Sequence, residues 1–151
     1  QYLVWVFVIF IAVGVIFTLL KPVDAFLQGK LFAWTPDINY GLDDNYSRTT
    51  LIVTYSLVFI FIAVLTPLVE ELYFRGYLLP RMKGKFAPLF HTFLFAVQHV
   101  LEPWMIITRT LGFFPILFGV KKKNIYIGII VHILCNTVNV ITGIAFIIKM
   151  T

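Results

Sequence analysis

Charged residues are scarce in this chain. Of its 151 residues, 13% are charged and 60% are hydrophobic. A soluble domain carries about a quarter charged residues, because its surface must face water. The composition therefore excludes an ordinary soluble domain and predicts a protein embedded in the lipid bilayer.

Cysteine and acidic residues are also few. Cys135 is the single cysteine, so no internal disulfide framework can form, and no pattern around it indicates a thiol nucleophile. The shortage of acidic residues leaves a formal net charge of +5. Such a charge can indicate nucleic-acid binding, but here the basic residues cluster between apolar runs. We therefore expect the bilayer, and no nucleic acid, as the partner of these charges.

Five apolar segments predict an all-α fold, a multi-pass transmembrane helical bundle. They cover residues 2–20, 50–80, 86–101, 103–120 and 124–148. Roughly 20 apolar residues are needed to span about 30 Å of hydrocarbon. The second segment is expected to kink at Pro67, because proline removes a helical hydrogen bond. The polar stretch 21–48 is predicted to be a surface loop.

One integral membrane domain is expected over residues 1–151. The sequence opens on Gln1 and runs directly into the first apolar segment, so we expect a fragment that lacks its beginning. That segment has neither a basic region before it nor a small-residue cleavage site after it. It is therefore predicted to be a retained helix rather than a signal peptide.

Basic residues in two short loops predict the orientation of the bundle. Arg81, Lys83 and Lys85 follow the second segment, and three lysines at 121–123 follow the fourth. With five crossings, both loops emerge on the same side. The positive-inside rule then places them in the cytoplasm and the 21–48 loop outside. Abundant Ile, Phe, Lys and Asn are typical of an AT-rich bacterial genome, so we expect a bacterial cell membrane.

Polar side chains interrupt three of the predicted segments. They are the Glu70–Glu71 pair, His99, His132 and Asn136. A charged residue in a membrane segment costs at least ~2.5 kcal/mol and by default marks a functional site. At ~1.5 Å per helical residue, Glu70 and the other three lie roughly 14 to 21 Å from the basic loops. This shared depth predicts that they form one site.

The spacing within each helix predicts how these side chains act. Glu71 and Arg75 are four residues apart, so they can form an ion pair. Glu70 then has no charged partner on its own helix, which suits a general base acting on water. His132 and Asn136 are also four residues apart and can donate hydrogen bonds to a developing oxyanion.

Three motifs occur in a fixed order on these segments. Residues 70–76 read EELYFRG, residues 95–99 read FAVQH, and residues 132–136 read HILCN. They match the patterns EExxxR, FxxxH and HxxxN. The chain resembles the CAAX-protease and bacteriocin-processing (CPBP, or Abi) family of intramembrane endopeptidases, which includes type II CAAX prenyl endopeptidases. The resemblance covers a motif core at 50–145, although the chain is shorter than a typical member.

The resemblance implies a role for each residue of the first motif. Glu70 would activate the water that attacks a peptide bond, and Glu71 with Arg75 would support Glu70. Phe95 in the second motif would be a packing residue. The implied reaction is hydrolysis of a membrane-associated protein or peptide substrate.

The resemblance also implies roles for the histidines and for Asn136. His99 and His132 would complete the catalytic centre, and Asn136 with a histidine would bind the oxyanion. Two histidines and one glutamate also suit a catalytic zinc with water as the fourth ligand. A metal, if present, is therefore expected on Glu70, His99 and His132. A metal-free glutamate mechanism uses the same residues and is the one we favour.

Two other functions remain compatible with the sequence. A non-proteolytic family member could act as a bacteriocin self-immunity or sensor-regulating protein. A transporter also uses glutamate and histidine within the membrane, although the Glu71–Arg75 pair suits a fixed site better. His91 lies outside the motifs and is not expected to take part in catalysis.

Overall fold

The computed structural model describes residues 1–36, 42, 45–121 and 124–150. These residues form helices and contain no strand, which confirms the all-α prediction. Three helices are long and apolar enough to cross a membrane: α1 (Tyr2–Lys30), α2 (Arg48–Arg81) and α6 (Ile125–Lys149). The protein is thus a multi-pass membrane protein built as a helical bundle.

Helix α1 extends beyond the segment that the sequence predicts. Residues 21–30 are helical, so the loop expected at 21–48 is wrong in its first part. Pro22 removes one helical hydrogen bond, but helix-favouring residues such as Ala25 and Leu27 follow it and the helix continues. Much of the remaining predicted loop, residues 37–41 and 43–44, lies outside the described residues.

Helix α2 carries the first motif and changes its winding twice. Its N-terminus is capped by Ser47, whose hydroxyl accepts a hydrogen bond of 3.1 Å from the Thr50 amide. Wide π-helical turns at Val58–Leu65 and Leu72–Leu78 flank an ordinary α-helical stretch, Thr66–Glu71. At Pro67, where the sequence predicts a kink, the helix passes from wide turns to α-helical turns.

The third and fourth predicted segments are shorter than a membrane crossing requires. Helix α3 (Ala87–Val97) has 11 residues, and at ~1.5 Å per residue it is about 16 Å long. After a turn at Pro103–Met105 come α4 (Ile106–Gly112) and α5 (Ile116–Lys121). Prolines at 103 and 115 interrupt this region, because proline lacks the N–H that a helix interior needs.

This shortening leaves the predicted orientation of the basic loops unchanged. The short segments lie between the two loops, and they either cross the membrane twice or turn back within it. In both cases the chain returns to the side from which it entered. Lys122 and Lys123 lie outside the described residues, and the cytoplasmic placement of both loops stays a prediction.

The core lies where α1, α3, α4, α5 and α6 meet the second half of α2. Its buried residues are Val6, Ile9, Val13, Phe74, Phe95, Phe113, Ile116, Ile127 and Val131. Three of them come from α1 at helical spacing, so one face of α1 is buried while its other faces stay exposed. Within this apolar core lie the charged side chains of the first motif.

Candidate active site

Glu71 and Arg75 form a buried ion pair on α2. Arg75 Nη1 lies 2.8 Å from Glu71 Oε1, and both side chains are 0% exposed. The spacing of four residues places them on one face, as the sequence predicts. The contact is an ion pair without directed hydrogen-bond geometry, since no guanidinium nitrogen of Arg75 has a hydrogen-bond partner among the described residues. Each charge needs the other, because an unpaired buried charge is strongly destabilising.

His132 on α6 lies against both glutamates. Its Nδ1 is 3.0 Å from Glu71 Oε1, a hydrogen bond in a fully buried position. Because a carboxylate oxygen accepts, Nδ1 carries the donated hydrogen. On the other side of the ring, Nε2 lies 3.6 Å from Glu70 Oε2, which is longer than a direct hydrogen bond.

Two aromatic rings hold this cluster in place. The imidazole of His132 packs against Phe95 and Phe113, with ring centroids 5.6 and 4.8 Å apart. The guanidinium of Arg75 lies 4.2 Å above the centroid of Phe95, and such cation–π contacts are favourable when desolvated. Phe95 is 0% exposed, so it packs as the resemblance implies.

Glu70 has surroundings very different from those of its neighbour. Its side chain is 16% exposed, and its Oε1 accepts a 3.1 Å hydrogen bond from Gln98 Nε2. Within the described part of the chain, its Oε2 has no hydrogen-bond partner. One glutamate is therefore fully buried and ion-paired, whereas the adjacent one is partly exposed and contacts Gln98 and His132.

Gln98 is a site residue that the sequence analysis missed. It immediately precedes His99 and follows the end of α3, and its contact with Glu70 joins residues 28 positions apart. The feature of the sequence that could have indicated Gln98 is its position inside the FxxxH motif. A variable position within a motif does not itself indicate a contact.

His99 lies beside the cluster rather than in it. Its Nδ1 is 3.0 Å from the Phe95 carbonyl oxygen, and its ring centroid is 5.2 Å from that of Phe95. No hydrogen bond or ion pair joins His99 to Glu70 or His132 among the described residues. Phe95 thus contacts both histidines, and it couples His99 to the site through ring packing.

Asn136 lies one turn beyond His132 on α6. Its Nδ2 donates a 3.0 Å hydrogen bond to the Ile62 carbonyl oxygen on α2. The structure therefore brings together Glu70, Glu71 and His132 directly, and it places Asn136 at the next turn of the same helix contact.

The three predicted metal ligands do not form a ligand set. In the ranges that the structure describes, no group of three His, Cys, Asp or Glu side chains could hold a metal ion. Glu70 and His132 face each other, while the hydrogen bond from His99 Nδ1 to the Phe95 carbonyl fixes the orientation of the His99 ring. The zinc site considered from the sequence needs three protein ligands on one ion, and the described residues gather no such set.

Two further polar features support the surrounding elements. His91 is buried and its Nε2 lies 2.9 Å from the Phe74 carbonyl oxygen, so it ties α3 to the wide turns of α2. Near the turn that follows His99, the side chains of Arg109 and Glu102 form an ion pair. Such contacts satisfy polar groups that could not otherwise remain in an apolar bundle.

Comparison with known proteins gives the family. The family model described as type II CAAX prenyl endopeptidase Rce1-like matches residues 52–138, which is more than half of the chain. No curated protein and no solved structure matches. The matched range contains all three motifs. The chain therefore belongs to the type II CAAX prenyl endopeptidase Rce1-like family, a family of membrane proteases.

Proposed function

We propose that this protein is an intramembrane endopeptidase that uses a glutamate-activated water. Its substrate would be a membrane-associated protein or peptide. The observation that carries the proposal is the difference between two adjacent carboxylates. Glu71 is fully buried and ion-paired with Arg75, whereas the Glu70 side chain is partly exposed and faces His132. A general base must lie within reach of the water whose proton it takes.

The proposed reaction begins at Glu70. Its Oε2 accepts a proton from water while the water oxygen bonds to the carbonyl carbon of the scissile peptide. The carbonyl π-electrons move to oxygen and form a tetrahedral oxyanion. When the C–N bond breaks, the proton held by Glu70 passes to the leaving nitrogen. Glu70 returns to its starting form, and one water has been consumed.

His132 and Asn136 are proposed to act on the oxyanion. Glu71 holds His132 through Nδ1, which leaves Nε2 directed toward Glu70 and within reach of the same substrate carbonyl. When protonated, Nε2 donates a hydrogen bond to the oxyanion. Asn136 has two amide hydrogens, and its bond to Ile62 uses one of them. Donors placed in a water-poor site stabilise developing charge strongly.

The experiment that tests the function compares membrane proteomes. Cells would carry the wild-type protein or Glu70→Ala, and new N-termini of membrane proteins would be identified by mass spectrometry. We expect at least one fragment that requires the carboxylate while both proteins accumulate equally. No Glu70-dependent fragment, or a function that survives Glu70→Gln, would favour the non-proteolytic reading. Because the proposed steps use no metal, the fragment should still form in membranes dialysed against a chelator.

Gln98 is proposed to position the catalytic carboxylate. Its amide holds Oε1 of Glu70, which directs Oε2 toward His132 Nε2. We expect Gln98→Leu to lower kcat about tenfold with KM unchanged, since a small misplacement of a catalytic group can cost up to about 10²-fold. The assay would use a peptide that spans the cleavage site found above. Val97→Leu, at the exposed neighbouring position, is the control. An increase in KM at constant kcat would instead show that Gln98 contacts substrate.

A further inference from the structure

The wide turns of α2 shift its hydrogen bonds by one residue just before Pro67. The backbone N–H of Thr66 bonds to the Phe61 carbonyl, five residues earlier, rather than to Ile62. In the same register, the donor for the Ile62 carbonyl would be the nitrogen at position 67. Proline has no N–H. The Ile62 carbonyl therefore lacks its backbone donor.

A side chain from α6 meets this carbonyl. Asn136 Nδ2 lies 3.0 Å from the Ile62 oxygen. In a membrane-spanning segment, a carbonyl freed by proline must find its partner within the protein, because lipid offers none. The asparagine amide is a donor of the right kind, and it comes from the helix that packs along this part of α2.

We propose that Asn136 is a positioning residue that replaces the hydrogen bond removed by Pro67. Pro67 lies three residues before Glu70 on α2, and Asn136 lies four residues after His132 on α6. The interhelical bond is thus about one turn from Glu70 and His132, whose Oε2 and Nε2 atoms lie 3.6 Å apart. It fixes α6 against α2 and thereby sets that distance.

The same two helices also approach each other closely on the other side of His132. Gly128 lies one turn before His132, and a Cβ built at this glycine would stand 2.7 Å from Glu71 Oε2. The missing side chain therefore lets the carboxylate approach α6. The close approach at Gly128 and the hydrogen bond from Asn136 therefore flank His132, one helical turn away on either side.

A double-mutant cycle tests the inference. The variants are Asn136→Leu, Pro67→Ala and the combination, with Tm measured in detergent without substrate. Asn136→Leu is expected to lower Tm by about 2–4 °C, as losing a bond worth about 1 kcal/mol would in a chain of this size. Pro67→Ala restores a backbone donor. In that background the same Asn136→Leu change should shift Tm by less than half as much.

Asn139→Leu is the matched control, since Asn139 is exposed on the same helix. Its effect on Tm should be the same in both backgrounds. If Asn136→Leu fails to accumulate, the expected result is that Pro67→Ala restores its amount in the membrane. Equal losses in both backgrounds would overturn the inference.

The catalytic part of this inference rests on the proposed endopeptidase, whereas the Tm cycle does not. When Pro67→Ala is added to Asn136→Leu, we expect Tm to recover and kcat for the identified peptide to recover in part, while the share of kcat that depends on the oxyanion contact of Asn136 stays lost. Recovered Tm with kcat no higher than in Asn136→Leu alone would overturn the positioning role, because the bond would then join the two helices without placing His132. Absence of any Glu70-dependent cleavage would refute the endopeptidase and leave the Tm result standing.

Discussion

Replacing Glu71 with alanine is expected to destabilise the protein by about 3–5 kcal/mol, the usual cost of breaking one side of a buried ion pair. The change leaves the guanidinium of Arg75, which is 1% exposed, without its carboxylate. It also removes the acceptor for His132 Nδ1. The measurement is the free energy of unfolding in detergent, or the amount of folded protein in the membrane.

The adjacent glutamate supplies the control. Glu70→Ala is expected to change stability by about 1 kcal/mol or less, as is usual for a partly exposed side chain; its polar contacts among the described residues are with Gln98 and His132. A second control, Glu71→Gln combined with Arg75→Met, removes both charges and keeps an oxygen that can accept from His132. Replacing a buried ion pair by uncharged residues is often neutral, so the double variant should recover most of the loss. Similar stabilities for Glu71→Ala and Glu70→Ala would contradict the assignment of the buried pair to Glu71.

Spacing within a helix was the reliable part of the sequence information. The ion pair of Glu71 and Arg75 follows from the pitch of one helix, which depends on local geometry alone. The lengths of the apolar segments likewise predict helices, because in the bilayer the backbone groups of each segment must find their hydrogen-bond partners within that segment. The order of the three motifs indicated the family, and the match to residues 52–138 supports it.

The depths of the polar residues in the membrane were predicted less reliably, because the calculation assumed uninterrupted helices. Helix α3 ends at Val97, so His99 lies in the turn that follows and not on the helix from which its depth was calculated. This explains why His99 packs beside the cluster while His132, within the long helix α6, reaches both glutamates. Where a short helix ends depends on tertiary packing, which spacing does not reveal.

Contacts between helices could not be predicted from the sequence. The bond from Gln98 to Glu70 requires the end of α3 to meet the middle of α2. The bond from Asn136 to Ile62 requires a change of hydrogen-bond register before Pro67. The sequence contains the proline, but the wide turns that decide which carbonyl loses its donor arise from the packed structure.

The charged residues of the site have two different roles, one structural and one proposed to be catalytic. Glu71 and Arg75 neutralise each other within the core, which leaves Glu70 without an arginine or lysine contact among the described residues and beside the imidazole of His132. An isolated pair could stabilise a bundle without any reaction. The second carboxylate, held by Gln98 and facing His132, is not needed for that stability and suits a catalytic role.

Replacing His132 with asparagine is expected to retain the fold and lower kcat about 10²- to 10³-fold, the range typical of losing one hydrogen-bond donor to an oxyanion. The asparagine amide reaches the position of Nδ1, where it can still donate to Glu71 Oε1. It leaves nothing at the position of Nε2, which lies beside Glu70. The measurements are Tm without substrate and single-turnover cleavage of the peptide identified by the proteome comparison.

His132→Gln is the matched variant, because its longer side chain places an amide near Nε2 instead of Nδ1. It should lose the hydrogen bond to Glu71 and lower Tm more than His132→Asn does, while keeping more of the cleavage activity. The two substitutions therefore separate the structural nitrogen of His132 from the one proposed to act on the substrate. If His132→Asn cleaved at the wild-type rate, Nε2 would have no part in the reaction, and the ring would serve only to join α6 to Glu71.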